Sequence, residues 1–267
     1  MTLRNPRISG FVTLDTDDRG VATLRLDRPE KHNALSGTMI GELTAAAEVI
    51  ASDDRIRVVV LAAAGRSFCA GADLGWMREQ MSADRENRLL EATRLSTMFQ
   101  VLDALPKPVI GRIQGPAYGG GIGLVCICDV AIAATGCRFG LTETRLGLVP
   151  AVIGPFVVAR LGVGNARRFF MSPRVVGSEE AKDLGLLSRV TPEKDLDAAL
   201  AEEIEPNLSV APGAAATAKS LVKRLGRSAT DSDVRHTVEV LADTLQGEEA
   251  QQGVEAFFSG RPPPWQV

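Results

Sequence analysis

Two segments of this chain follow one plan, and that plan limits the fold more than any other feature of the sequence. Residues 58–64 form a continuous apolar run that leads into Gly65 and then Ala70-Gly71-Ala72. Residues 109–113 lead in the same way into Gly115 and then Gly119-Gly120-Gly121. A β-branched run without polar alternation suits a strand buried on both faces, as parallel strands are inside layered α/β proteins. The small residues that follow leave backbone N–H groups bare at a helix start. Set side by side, two such units would present two N–H donors at one point.

The flanking segments fit the same architecture. Residues 11–14, 21–26 and 129–134 have strand character, and 37–50 has helical spacing. Residues 79–105 place Leu89, Leu90, Leu95, Met98, Phe99 and Leu102 on a helical stripe, which Pro106 and Pro108 end. Residues 139–148 read as a turn and short helix carrying Glu143, and 159–187 as helical with breaks at Gly162, Gly164 and Gly185. Past Pro206 the composition shifts, with 211–225 rich in alanine and lysine and 234–258 reading as one long amphipathic helix. The expected division is a core of residues 1–205 and a helical oligomerisation region of 206–267.

Composition narrows the function. The chain's 30 basic and 33 acidic residues give a net charge of -3, and the arginines are dispersed, so no face suits nucleic acid. No apolar run approaches the roughly 18–20 residues of a membrane span. The opening Met1-Thr2-Leu3-Arg4 leads into no apolar signal region, and a cytoplasmic protein is the expectation. Cys69, Cys126, Cys128 and Cys137 lie in apolar or glycine-rich segments, far from His32 and His236. Buried free thiols fit that pattern better than a metal site.

Several motifs stand in one order along the chain: Ser67-Phe68-Cys69-Ala70-Gly71-Ala72-Asp73-Leu74, Lys107-Pro108-Val109-Ile110, Gly119-Gly120-Gly121, and Phe139-Gly140-x-x-Glu143 with Gly147-x-x-Pro150. Arg28-Pro29 and Asn33-Ala34-Leu35 precede them, and Gly253-x-x-Ala256-Phe257 with Arg261-Pro262 follows. The ordered set resembles the crotonase, or enoyl-CoA hydratase/isomerase, superfamily over almost the whole chain. The resemblance implies an α/β spiral of ββα units and a helical C-terminal region that assembles trimers or dimers of trimers. It also implies an acyl-CoA thioester substrate, the coenzyme being part of that substrate rather than a separate cofactor. The oxyanion donors fall on the N–H groups of Ala72 and Gly120. Ala34, Ala70, Asp73, Leu74 and Gly119 line the substrate, and Arg28 and Lys31 are the cations for the CoA phosphates. Asp73 is expected to close its loop by accepting backbone N–H bonds.

Glu143 is the expected proton carrier. Thr142 stands where it could cap the short helix, and Leu141, Leu146, Leu148 and Val149 would raise the carboxyl above the ordinary value of about 4.3. A raised value suits acid–base work next to a thioester. Hydratases of the standard pattern carry a second glutamate where this chain has Gly123; a hydrogen there removes a base and is expected to leave space. The run from Leu141 to Ile153 is similar to a bacterial branch assigned as methylglutaconyl-CoA or carboxygeranoyl-CoA hydratases, whose substrates carry a second carboxylate. Arg145 could pair with such a group, although a surface salt bridge is the expectation for it. Tyr118, the single tyrosine, flanks the glycine loop. Three functions fit: a hydratase-type lyase, a Δ3,Δ2-enoyl-CoA isomerase using the same groups, or a protein that binds CoA esters without turnover.

Overall fold

A computed structural model of the chain describes residues 3–4, 10–226 and 231–266. The strands are β1 (Leu3–Arg4), β2 (Val12–Thr16), β3 (Val21–Leu26), β4 (Val58–Ala63), β5 (Val109–Ile113), β6 (Ala117–Tyr118), β7 (Val130–Ala134), β8 (Arg138–Gly140), β9 (Val175–Gly177) and β10 (Arg189–Thr191). The helices are α1 (Gly37–Ser52), α2 (Leu74–Ser82), α3 (Arg85–Asp103), α4 (Gly120–Cys126), α5 (Gly154–Phe170), α6 (Ser178–Asp183), α7 (Leu196–Leu208), α8 (Pro212–Leu225), α9 (Asp231–Gln246) and α10 (Glu248–Ser259).

A seven-stranded sheet runs in the order β1-β2-β3-β4-β5-β7-β10. The β2–β3 hairpin is antiparallel, and from β3 onward every neighbour is parallel. β4 sits mid-sheet and is buried at every position, as its uninterrupted Val-Val-Val-Leu-Ala-Ala requires. A smaller sheet, β6-β8-β9, stands beside it. Two parallel bridges, Cys69 with Ala117 and Leu35 with Ala72, lengthen that small sheet by two further chain segments. The chain therefore repeats a cycle: a strand in the large sheet, a short extended piece in the small one, then a helix. β3, Leu35 and α1 make one turn; β4, residues 69–72 and α2 the next; β5, β6 and α4 a third. This is the expected spiral of ββα units.

Four sequence readings change. Residues 79–105 are two helices, because Asp84 Oδ1 accepts the N–H of Asn87 at 2.8 Å and starts α3 afresh. Leu89 and Leu90 face outward, and only Met98, Phe99 and Leu102 of α3 are buried. The stretch 159–187 contains β9, whose Val175 and Val176 pair antiparallel with β8, while α5 is broken at Gly162 (φ 69°) as expected. The region 234–258 is divided at Gly247 into α9 and α10. The stretch 139–148, expected as a turn and short helix, opens inside β8 before the short turn Glu143–Leu146.

α8 is tied to the core by Lys219, whose Nζ reaches Asp129 Oδ2 at 2.7 Å and the carbonyl of Lys107 at 3.0 Å. The four cysteines are free and buried. Burial pushes the thiols of Cys69, Cys126 and Cys128 up to about 12, which leaves them unreactive. Among the described residues no helix is long and apolar enough to cross a membrane.

Candidate active site

Residues 69–73 are held from both sides. On one side, Ala70 N–H donates to His32 O at 3.0 Å, Leu35 N–H to Gly71 O at 2.7 Å, and Asp73 N–H to Leu35 O at 2.9 Å. In a parallel bridge such bonds flank the central residue, so the N–H of Ala72 points away from Leu35. On the other side, Cys69 N–H donates to Pro116 O at 3.2 Å and Tyr118 N–H to Cys69 O at 2.9 Å. There β6 ends at Tyr118 and the chain turns into α4, so the ladder stops short of Ala72.

Gly120 is the first residue of α4, where helical N–H groups lack intrahelical partners. Among the described residues neither Ala72 N–H nor Gly120 N–H donates to a backbone carbonyl. The two loops meet backbone to backbone: a Cβ built on Gly71 would lie 3.0 Å from Tyr118 O and 3.6 Å from Gly119 Cα. Gly71 (φ 92°) and Gly119 (φ 49°) both hold conformations that a side chain would strain.

Glu143 follows β8, the next parallel neighbour of β6. The two donors and the acid thus sit at the carboxyl ends of three adjacent parallel segments. A Cβ on Gly119 would stand 3.0 Å from Glu143 Oε1. Glu143 Oε2 is buried and, among the described residues, has no hydrogen-bond partner. Burial pushes the carboxyl above the usual glutamate range, with Glu143's own N–H opposing. Its surroundings differ from expectation. Thr142 makes no capping bond, and Leu146 and Val149 are 66% and 71% exposed; of the four apolar neighbours only Leu141 is buried. The glycine loop at Gly119 stands close beside the carboxylate.

Gly123 does not leave the expected space. A Cβ there would lie 2.6 Å from Ile153 Cγ2 and 2.7 Å from Phe99 Cε1. Both side chains are buried, and Phe99 is braced by Phe156 with ring centroids 5.7 Å apart. Where a second acid was sought, the wall is apolar and filled. No local signal announces this, because Phe99 reads only as part of a helical stripe and Ile153 only as the end of the Leu141–Ile153 run, far from it in the chain.

The remaining site residues divide. Asp73 closes its loop as expected: Oδ1 accepts the N–H groups of Gly75 at 2.8 Å and Trp76 at 3.1 Å, starting α2. Arg28, expected at the CoA phosphates, is instead turned inward, with Nη1 on Asp73 Oδ2 at 2.8 Å and its guanidinium 4.8 Å from the centre of the Phe11 ring. Lys31 is exposed on the turn Pro29–Lys31. Arg66, which sequence reasoning passed over, is exposed beside it, Nη2 lying 3.5 Å from His32 Nε2. Ala34 is buried, Ala70 is exposed, and Leu74 is exposed at the start of α2. Arg145 is exposed and, among the described residues, has no ion pair; the expected salt bridge is absent there. Tyr118 is half-buried, and its backbone shapes the loop.

A family model described as enoyl-CoA hydratase/isomerase matches residues 16–267. A putative enoyl-CoA hydratase of Thermus thermophilus is 32% identical over 246 residues, covering 91% of this chain and 96% of that protein. Enoyl-CoA hydratase AKT6-1 of Alternaria alternata is 33% identical over 245 residues, covering 91% and 80%. Among solved structures, an enoyl-CoA hydratase from Shewanella pealeana superposes with a TM-score of 0.92 at 37% identity, covering 96% of each chain. Pseudomonas aeruginosa AtuE gives 0.92 at 33% identity, covering 97% of this chain and all (100%) of that one. With matches that run nearly end to end in both directions, this chain is an enzyme of crotonase fold that belongs to the enoyl-CoA hydratase/isomerase family.

Proposed function

We propose that this protein is a hydratase-type lyase that holds an enoyl-CoA thioester between the N–H groups of Ala72 and Gly120 and uses Glu143 as its sole proton carrier. The observation that carries this reading is the buried Oε2 of Glu143, without a partner among the described residues, beside the loop that presents Gly120 N–H. Adding water across a conjugated thioester places negative charge on its oxygen, which two fixed donors stabilise without reorganising. One carboxylate suffices for the protons. Glu143 accepts a proton from water as the oxygen bonds to the β carbon, and the carboxylic acid so formed returns a proton to the α carbon as the enolate collapses. Exposed Lys31 and Arg66 are the cations offered to the CoA phosphates, since Arg28 is committed to Asp73. Arg145, exposed and two residues from Glu143, supports a substrate with a second carboxylate, such as 3-methylglutaconyl-CoA. The test is loss of enoyl absorbance with crotonyl-CoA and 3-methylglutaconyl-CoA, abolished by Glu143→Gln. A Glu143→Gln variant of undiminished activity would sink the mechanism.

One observation favours isomerisation instead. The apolar filling by Phe99 and Ile153 leaves no second group to hold water, whereas moving a proton between the carbons flanking a shifting double bond needs only Glu143. Gain of conjugated absorbance from 3-hexenoyl-CoA, with no hydration of either enoyl ester, would establish this reading over the first. For assembly we propose a trimer or dimer of trimers, supported by the exposed Leu241, Leu245, Phe257 and Phe258 of α9 and α10. A monomer in sedimentation would count against it.

A further inference from the structure

We propose that Asn33 is a positioning residue for the oxyanion hole, fixing the strand segment whose pairing turns the N–H of Ala72 outward, away from Leu35. The inference rests on the reading of Ala72 as an oxyanion donor. Asn33 is fully buried (0% exposed) and, with His32, occupies a left-handed turn (φ 54° and 53°), a conformation that asparagine tolerates better than most residues.

Its side chain ties three pieces of chain together. Nδ2 donates to Ala64 O at 2.8 Å, just past β4, and to Ser67 O at 2.9 Å, at the entry to the 69–73 loop. Oδ1 accepts the N–H of Arg28 at 2.9 Å, closing the turn that carries residues 29–32. Both amide protons and the amide oxygen are engaged, so the group has one orientation. Immediately around it, His32 O receives Ala70 N–H, and the N–H and C=O of Leu35 bracket Ala72. Asn33 therefore links the start of the loop at Ser67 to the segment that sets the direction of Ala72 N–H near its end. An oxyanion donor works only within about 2.7–3.1 Å of the charged oxygen, and misplacement by about 1 Å costs roughly 100-fold.

Two variants separate positioning from folding. Asn33→Gly keeps the left-handed turn without strain and removes all three side-chain bonds. Asn33→Asp keeps the shape and the acceptor for Arg28 N–H but loses the donors to Ala64 and Ser67. Wild type and variants are compared in kcat and KM with crotonyl-CoA, 3-methylglutaconyl-CoA and 3-hexenoyl-CoA, and in the infrared carbonyl stretch of bound butyryl-CoA carrying carbon-13 at the thioester carbon. The expected result is a kcat lowered about 10- to 100-fold, KM changed less than about threefold, and a smaller shift of the bound carbonyl to low frequency. Wild-type kcat and carbonyl shift in both folded variants would overturn the positioning role while leaving the donors intact. Absence of any carbonyl shift in the wild type would overturn the oxyanion reading itself. Failure of both variants to fold would assign Asn33 to stability alone and equally overturn the proposal.

Discussion

The ring of Phe99 closes over Gly123 so fully that its Cε1 and Cζ would lie 2.7 and 2.9 Å from a Cβ at that position. A second acid cannot be restored there by one substitution. Gly123→Glu would force a carboxylate into a packed apolar wall, and overpacking alone costs about 1–3 kcal/mol before the charge is counted. Urea denaturation should show a loss at or above that range, with no gain in hydration. Adding Phe99→Ala to Gly123→Glu should return part of the overpacking cost. Equal stability of Gly123→Glu and wild type would contradict the packing described.

Glu143→Gln should lower kcat by about 100- to 10,000-fold, the usual range for a general acid or base. It should also stabilise the fold at neutral pH. The folded carboxyl lies above its ordinary value because burial disfavours its charge, so folding is opposed only where the unfolded group ionises. Below the ordinary glutamate value both proteins carry a neutral side chain, and their melting temperatures should converge. As pH rises through that value towards the raised one the gap should open, the variant melting higher, and then level off. The acid limb of kcat/KM should likewise fall at a pH above the ordinary glutamate value.

The two loops that carry Ala72 and Gly120 were legible because their signal is local: each follows a buried run and a set of small residues within about a dozen positions, although only the ordered motifs single out those two residues. Glu143 was legible only through its place in the ordered motif. Its environment was not, since Leu146 and Val149 are neighbours in sequence yet turn to the surface, while the Gly119 loop beside it comes from another segment. Arg28 illustrates the same limit. A lone arginine has no local feature that reveals an aspartate 45 residues away, and its partner emerges only when β3 and β4 pair. The division of 79–105 was legible in principle: Asp84 precedes a helical run as an N-cap, and the apolar stripe begins only after it, at Leu89.

Gly119→Ala should damage catalysis more than stability. Its Cβ would stand 3.0 Å from Glu143 Oε1 and 3.6 Å from Gly71 Cα, at a φ of 49° that disfavours any side chain. The backbone strain alone is about 1 kcal/mol or more. Because relief requires moving the glutamate or the adjacent N–H of Gly120, kcat should fall by at least about 100-fold, while the melting temperature drops only modestly. Chemical denaturation alongside steady-state rates measures both; a variant of normal kcat would show that the carboxylate does not depend on this contact.

Arg28 and Asp73 should act on stability rather than on coenzyme affinity. Their side chains are only 14% and 15% exposed, and Asp73 is held below the usual carboxylate range. Burial works against that shift, but the N–H groups of Trp76 and Gly75 and the Arg28 guanidinium together outweigh it. A depressed folded value stabilises the protein at pH above the unfolded aspartate value, and that contribution is lost as pH falls through the folded one. Arg28→Ala should therefore destabilise by about 1.5–3 kcal/mol at neutral pH, as expected for a hydrogen bond to a charged group, and by less in strong acid. Asp73→Asn, which also weakens the start of α2, should be non-additive with it. Lys31→Ala and Arg66→Ala, by contrast, should leave stability unchanged and raise KM for CoA esters, more at low ionic strength than at high. A large KM effect from Arg28→Ala in a fully folded protein would reverse this assignment and return Arg28 to the phosphates.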